Sequence, residues 1–140
     1  MIFSETGPVI VESHTRTGGD RIFEMTQLTY GVDMFTATLQ GLAGAFPDIQ
    51  IDTTKGAAIR YLSLSTGRVA NISGLESARQ SAGVVRCDIT VNVGDKCKHP
   101  ENSDERAGYI LANGDNGPHA IDNVMRALTR VNIEVEPVNA

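Results

Sequence analysis

The spacing of apolar residues along the chain changes character near its middle, and this change divides the chain into two parts. In the first part, Val9, Ile10 and Val11 follow the Gly7-Pro8 turn and predict a short strand, apolar on both faces and therefore expected in a covered sheet. Two stretches with helical spacing come next, and Gly31 separates them. Their apolar positions are Ile22, Met25 and Leu28, and then Val32, Phe35, Leu39 and Leu42. The first part thus predicts a strand and two helices.

From Ala57 onward the pattern is typical of β-strands. Strands are predicted over residues 58–64, 68–72, 85–91, 108–112 and 131–136, the second returning along the first through the turn at residues 65–67. A short helix is predicted over residues 74–80, and a longer one after Gly117-Pro118. The apolar stripe expected on the longer helix is Ile121, Val124, Met125 and Leu128. The predicted fold class is α+β, with a β-rich unit over residues 57–140 that is closed by a helix and a strand.

Composition and charge narrow the classes of function. A chain of 140 residues can bury a core of its own, and its formal net charge of -5 argues against a nucleic-acid partner. No apolar run predicts a membrane span or a signal peptide, and two cysteines favour a reducing, cytoplasmic setting. Cys87, Cys97 and His99 lack the second ligand pair that a zinc site requires, so Cys87 is expected in the core.

The stretch VIVESHTRTGGD at residues 9–20 carries the candidate chemistry. If the strand continues beyond Val9, then Glu12, His14 and Arg16 project from one face. A carboxylate and an imidazole at this spacing can hold one cation, and an arginine can grip a phosphate or carboxylate with both arms of its fork. Gly18 and Gly19 would then expose backbone amides to the same ligand. The spacing equally allows an ordinary polar strand end followed by a glycine turn.

The order of motifs resembles a known family. The pattern E-x-H-x-R-x-G-G-D, preceded by GPVIV and followed by two helices with GVD between them, resembles the metal-binding strand of ATP-grasp ligases. The segments GRVANISGLESARQSAGVV, VNVGDKC and ERAGYILANGDNGPHAIDNVMRAL are similar to the C-terminal unit of the branch with L-amino-acid ligases and carbamoyl-phosphate-synthase-like proteins. The resemblance covers nearly the whole chain in the right order.

This resemblance implies a fold, an activity and cofactors. Residues 1–46 would end an ATP-grasp catalytic domain, and residues 57–140 would form a small β-rich C-terminal subdomain. Such ligases use ATP and Mg²⁺ to activate a small carboxylate as an acyl phosphate, which an amine then attacks. The expected partners of the complete enzyme are therefore a nucleotide and a small carboxylate substrate, with no nucleic acid and no membrane.

The resemblance also assigns roles to residues. Glu12 would be the bridging metal ligand, and Arg16 would be catalytic by steadying the transferred phosphoryl group or the substrate carboxylate. Gly18 and Gly19 would be cofactor-binding positions where the ligand approaches the main chain. His14 stands where the family commonly has Asn, and Mg²⁺ prefers oxygen. Three alternatives follow for His14: the metal site tolerates Mn²⁺, or His14 contacts the substrate, or it only orients a water molecule.

The resemblance leaves parts of the active site unaccounted for. The family's other metal-binding carboxylate and its nucleotide pocket lie upstream of the Glu12 position and have no counterpart in the chain. We therefore expect a C-terminal ligase fragment that is inactive alone and that meets a complementing N-terminal chain or forms a homodimer. The alternative is a non-catalytic α+β module that binds a partner or itself. In either case the edge of the strand and one face of the helix at residues 32–42 should be exposed.

The sequence also predicts roles for five further side chains. Asp20 is expected to cap the first helix, and Asn116 to start the last one. Arg106 and Tyr109 flank a predicted strand and are candidates for substrate contact, whereas His119 is expected to be solvated.

Overall fold

A computed structural model describes residues 2–10, 17–45, 48–51 and 55–138. It begins with an antiparallel hairpin of β1 (Ile2–Ser4) and β2 (Gly7–Val9). The covered sheet expected here is not formed by these strands, because their apolar side chains, including Phe3 and Val9, are exposed. A two-stranded ribbon without a further layer has nothing to bury them against. The predicted continuation of the strand through Val11 lies outside the described residues.

The two predicted helices are confirmed as α1 (Ile22–Tyr30) and α2 (Met34–Leu42). Gly31 ends α1 in the left-handed conformation, with a φ of 73°, and its N–H donates to the carbonyl of Gln27. Asp33 caps α2, because its carboxylate accepts hydrogen bonds from the first backbone amides of that helix. These two caps fix the break between the helices at the place the sequence predicts.

The elements of the second part are β3 (Gly56–Leu62), β4 (Gly67–Ser73), α3 (Leu75–Arg79), β5 (Val84–Ile89), β6 (Lys96–Cys97), a 3₁₀ turn (Ser103–Glu105), β7 (Gly108–Gly114), α4 (Gly117–Leu128) and β8 (Asn132–Glu136). Its strands form two three-stranded antiparallel sheets, one in the order β3-β7-β5 and the other in the order β6-β4-β8. The α+β class is thus confirmed. The division of the chain into residues 1–46 and 57–140 stays a prediction.

The pairing of β4 corrects the sequence expectation. We expected β4 to return along β3, but it pairs with β6 and β8 in the other sheet. Gly67 shows why the change of sheet is sterically possible, since a Cβ at this position would lie 2.3 Å from the carbonyl oxygen of Glu136. A turn between two apolar stretches fixes a change of direction but does not choose the partner strand.

The core lies between the sheet of β7 and helix α4, and small side chains let the two layers approach closely. On the sheet it contains Ala58, Cys87, Ile110 and Ala112, and on the helix Ala120, Val124 and Ala127. The core position of Cys87 is as expected. The stripe predicted for α4 is wrong in part, because Ile121 and Met125 are exposed and the alanines face the sheet instead. Close packing selects small residues, which a search for bulky apolar residues overlooks.

Candidate functional site

Three of the predicted site residues, Glu12, His14 and Arg16, lie outside the described residues. The structure describes the chain again from Thr17 onward, and this part contains both glycines. A Cβ on Gly18 would lie 3.1 Å from Cδ1 of Ile22, so this glycine allows α1 to fold back tightly on the preceding turn. A Cβ on Gly19 would meet no atom of the described residues within 4 Å, so its backbone is open with respect to them. The ligand-binding roles of both glycines stay predictions.

The turn between the glycines and α1 has an unusual backbone. Asp20 and Arg21 are the two residues other than glycine with positive φ in the described part of the chain, at 52° and 62°. This left-handed conformation costs roughly 1–2 kcal/mol for each such residue, so the surrounding structure must hold it in place. The expected helix cap is wrong, because Arg21 occupies the N-cap position without a side-chain cap. The Asp20 carboxylate instead accepts a hydrogen bond from Arg106.

Asp20 is held from two directions by residues of the second part. Its carboxylate accepts a hydrogen bond of 2.9 Å from Nη1 of Arg106, and its carbonyl accepts one of 2.7 Å from the hydroxyl of Tyr61. The Arg106 guanidinium also lies over the Tyr61 ring, with Cζ 4.0 Å from the ring centroid. We call this set of three residues the Asp20 contact.

Arg21 makes a parallel arrangement with the next tyrosine of the sheet. Its guanidinium lies over the Tyr109 ring at 4.8 Å, and the Tyr109 hydroxyl donates a hydrogen bond of 2.7 Å to the carboxylate of Asp88. Tyr109 pairs with Tyr61 on β3 and with Asp88 on β5, so these three residues form one row across the sheet. Since side chains alternate along each strand, this row lies on the sheet face opposite α4.

Glu24 ties α1 to the edge of the same sheet. One of its carboxylate oxygens accepts hydrogen bonds of 3.2 and 2.9 Å from Nε and Nη2 of Arg86, and the other lies 3.5 Å from Nη1 of Arg21. The Glu24 side chain is only 13% exposed, and its hydrogen bond raises the pKa of Arg86. We call the set of these residues the α1 cluster: Asp20, Arg21, Glu24, Tyr61, Arg86, Asp88, Arg106 and Tyr109. Its three acidic side chains and three arginines carry formal charges that cancel.

The two tyrosines of the α1 cluster are protonated at neutral pH and donate hydrogen bonds. Burial, and then the hydrogen bond to Asp88, raise the pKa of Tyr109 to about 12. Burial, and then the negative charge of Asp20, raise the pKa of Tyr61 as well. Both hydroxyls consequently stay protonated, as their roles as donors require. The arrangement is suited to holding the turn in one geometry rather than to moving protons.

The described residues include no group of three His, Cys, Asp or Glu side chains that could hold a metal ion. The metal site predicted at Glu12 and His14 lies outside these residues and stays a prediction. His119 lies 3.3 Å from the exposed carboxylate of Asp115, next to the N-cap residue Asn116, and does not belong to the α1 cluster.

Sequence reasoning identified part of this site. It singled out Arg106 and Tyr109, and the structure brings both to the turn that follows the predicted catalytic segment. It missed Tyr61, Glu24 and Arg86. The alternation of Arg86 and Asp88 with apolar residues in β5 was a usable indication that polar side chains share one face of that strand.

Three solved structures of ATP-grasp ligases share this fold. The chain aligns with phosphoribosylglycinamide synthetase from Anaerococcus prevotii at a TM-score of 0.70 and 17% identity, covering 86% of this chain and 32% of that one. It aligns with L-amino acid ligase from Bacillus licheniformis at a TM-score of 0.68 and 17% identity, covering 86% of this chain and 31% of that one. With the biotin carboxylase domain of 2-oxoglutarate carboxylase from Hydrogenobacter thermophilus the TM-score is 0.65 and the identity 15%, covering 95% of this chain and 30% of that one. The fold is therefore that of a C-terminal ATP-grasp portion, as the sequence resemblance implied.

The family assignment is more specific than the fold. Residues 60–136, more than half of the chain, match the family described as L-amino acid ligase C-terminal domain 2, and the chain belongs to this family. The uncharacterized protein y4rH of Sinorhizobium fredii is 23% identical over 136 residues, which are 96% of this chain and 28% of that protein. The chain thus spans about a third or less of the length of these relatives. Among the described residues, no helix is long and apolar enough to cross a membrane.

The raised pKa of Tyr109 predicts how stability changes with pH. The pKa of Tyr109 is about 12 in the folded state and near 10.0 in the unfolded chain, so the folded state holds this proton more tightly. The resulting stabilisation is complete below pH 10 and is lost as the pH rises towards about 12. In Tyr109→Phe the free energy of unfolding should fall less steeply between pH 10 and 11 than in the parent chain. Urea unfolding at several pH values measures this slope. Tyr30→Phe, outside the α1 cluster, is the control, and equal slopes in all three proteins would reject the assignment.

Proposed function

We propose that this chain forms the C-terminal portion of an ATP-dependent carboxylate–amine ligase that works through an acyl phosphate intermediate. One observation carries the proposal. The residues that match the ligase family include Tyr61, Arg106 and Tyr109, and these side chains reach back to the turn at Asp20 and Arg21, where the pattern E-x-H-x-R-x-G-G-D ends. The family domain and the candidate catalytic segment are thus joined through side-chain contacts as well as through the chain.

Within this proposal each residue of the segment has a role. Glu12 and His14 hold the metal ion, and Arg16 grips the transferred phosphoryl group or the substrate carboxylate through a bidentate contact. Gly19, which no described atom crowds, lets the ligand approach the main chain, and Gly18 keeps α1 close behind it. When bound with ATP, Mg²⁺ or Mn²⁺ neutralises the phosphate charge. The Hydrogenobacter relative, crystallised with MgADP and bicarbonate, supports this choice of cofactors.

The proposal treats the active site as shared with another segment. The relatives are about three times as long as the aligned region, which supports a nucleotide pocket supplied by an additional ATP-grasp segment. That segment belongs either to the same polypeptide or to a complementing chain. The identity of the acid and of the amine depends on residues outside the described part of this chain.

The proposal predicts that the 140-residue chain alone does not release phosphate from ATP above the level of Glu12→Ala, because it lacks the nucleotide pocket. When the chain is joined to the ATP-grasp segment encoded upstream or in a neighbouring gene, phosphate release should appear in the presence of Mg²⁺ and an amino acid. Glu12→Ala and Arg16→Ala should each abolish it.

Glu5→Ala, an exposed carboxylate in the turn before Gly7, is the matched control and should keep full activity. Phosphate release by the chain alone above the Glu12→Ala level would contradict the shared active site. Equal activity of Glu12→Ala and the parent in the joined enzyme would contradict the assigned residues.

A second candidate function, self-association, is favoured by the exposed apolar face of α2. Phe35, Leu39 and Leu42 recur on one helical face and are 50%, 66% and 81% exposed. Helix faces of this kind bury themselves against another segment, which here is either the complementing ATP-grasp segment or a second copy of the chain.

If α2 mediates self-association, sedimentation velocity should show a dimer that dissociates on dilution. Leu39→Glu should shift the chain to monomer, because it places a charge in the centre of the apolar face. Gln40→Glu adds the same charge at a polar, exposed position of α2 and should leave the dimer intact. A chain that stays monomeric over a wide concentration range would exclude self-association.

A further inference from the structure

We propose that Arg106 and Tyr61 are positioning residues of the ligase. Through the Asp20 contact they fix the direction in which the catalytic segment leaves α1. This inference rests on the proposed function, because it concerns the placement of Gly18 and Gly19, the ligand-binding positions of that proposal. It assigns to the family domain at residues 60–136 a specific task in the active site.

The first argument is that the turn requires external support. Asp20 and Arg21 both adopt the left-handed conformation without being glycines. Such residues persist where surrounding contacts determine them, and they concentrate at functional sites. Here the contacts come from distant parts of the sequence, since Tyr61 and Arg106 lie 41 and 86 positions from Asp20. Local sequence alone does not impose this turn.

The second argument is that both contacts act on one residue in complementary ways. Arg106 binds the Asp20 side chain, whereas Tyr61 binds its carbonyl, so the side chain and the peptide plane are both oriented. Arg106 is itself held, since its guanidinium lies over the Tyr61 ring and its carbonyl accepts a hydrogen bond of 2.9 Å from the Thr90 hydroxyl. Its charge is thus engaged with Asp20, which assigns it a positioning role instead of the substrate contact that the sequence suggested.

The third argument concerns what the turn controls. The carbonyls of Gly19 and Arg21 accept hydrogen bonds of 3.0 Å from the amides of Ile22 and Met25, which start α1. The dihedral angles of Asp20 therefore set the angle between α1 and the chain before it. Gly18 and Gly19, the ligand-binding positions of the proposed function, directly precede Asp20, so a change in this angle would move them relative to a bound ligand. Small displacements of this kind are costly for catalysis.

Amide hydrogen exchange, measured by NMR on the 140-residue chain, tests this inference without any ligand. In Arg106→Gln and in Tyr61→Phe the amides of Ile22 and Met25 should exchange about tenfold faster, as expected for a local opening of the turn. The amide of Asn113, which donates to the carbonyl of Gly83, should keep its rate.

Arg106→Lys keeps the charge but not the planar stack, and it should restore part of the protection at Ile22 and Met25. Arg60→Gln is the matched control, because it removes an exposed arginine next to Tyr61 in β3, on the other face of the strand. It should leave every rate unchanged. Unchanged exchange at Ile22 and Met25 in both test variants would overturn the inference, and so would equal acceleration at Asn113, which indicates a loss of global stability.

In the joined enzyme, Arg106→Lys should lower kcat without a matching rise in KM, because it misplaces the Gly18-Gly19 turn after the substrate has bound. An unchanged kcat would overturn the positioning role. These measurements distinguish a failure of the proposed ligase function from a failure of the proposed positioning role. Faster exchange at Ile22 and Met25 in a joined protein that never releases phosphate would reject the ligase, whereas unchanged exchange in an active ligase would reject the positioning role.

Discussion

The hydrogen bonds from Arg106 and Tyr61 to Asp20 are the interactions on which the rest of the candidate site depends. They connect a strained two-residue turn to a sheet formed much later in the chain. Without them, Asp20 and Arg21 would relax towards ordinary backbone angles, and α1 would leave the glycine turn in another direction. Gly18 and Gly19, the predicted ligand-binding positions that the structure describes, directly precede this turn, so their placement relative to the family domain follows from it.

The sheet can support the turn because the two faces of β7 serve different purposes. On one face, Ile110 and Ala112 pack against the alanines of α4, which fixes the strand without bulky side chains. On the other face, Tyr109 continues the polar row from Tyr61 to Asp88. The tyrosine rings then provide flat surfaces for two guanidinium groups, and their raised pKa values keep the hydroxyls protonated as donors. The packing of α4 and the geometry of the turn are thereby linked through a single strand.

Sequence reasoning predicted those features that depend on neighbouring residues. Gly31 and Asp33 mark the break between α1 and α2, and Asn116 begins α4, because caps and left-handed glycines act locally. The partner of β4, the buried face of α4 and the direction of the Asp20 carboxylate were not predictable in this way. Each depends on a residue far along the chain: Glu136 for β4, the sheet for α4, and Arg106 for Asp20. The ligase resemblance succeeded because it relied on the order of several motifs, and the family match at residues 60–136 confirms it.

The central claim is that Asp20 and Arg106 act as one unit that holds the turn. A double-mutant cycle with Asp20→Asn, Arg106→Gln and the double variant, measured by urea unfolding of the 140-residue chain, tests it most directly. Because the two side chains share one contact, their effects on the free energy of unfolding should be coupled by more than about 0.5 kcal/mol. Effects that add to within about 0.5 kcal/mol would show that the two residues act independently and would contradict the account.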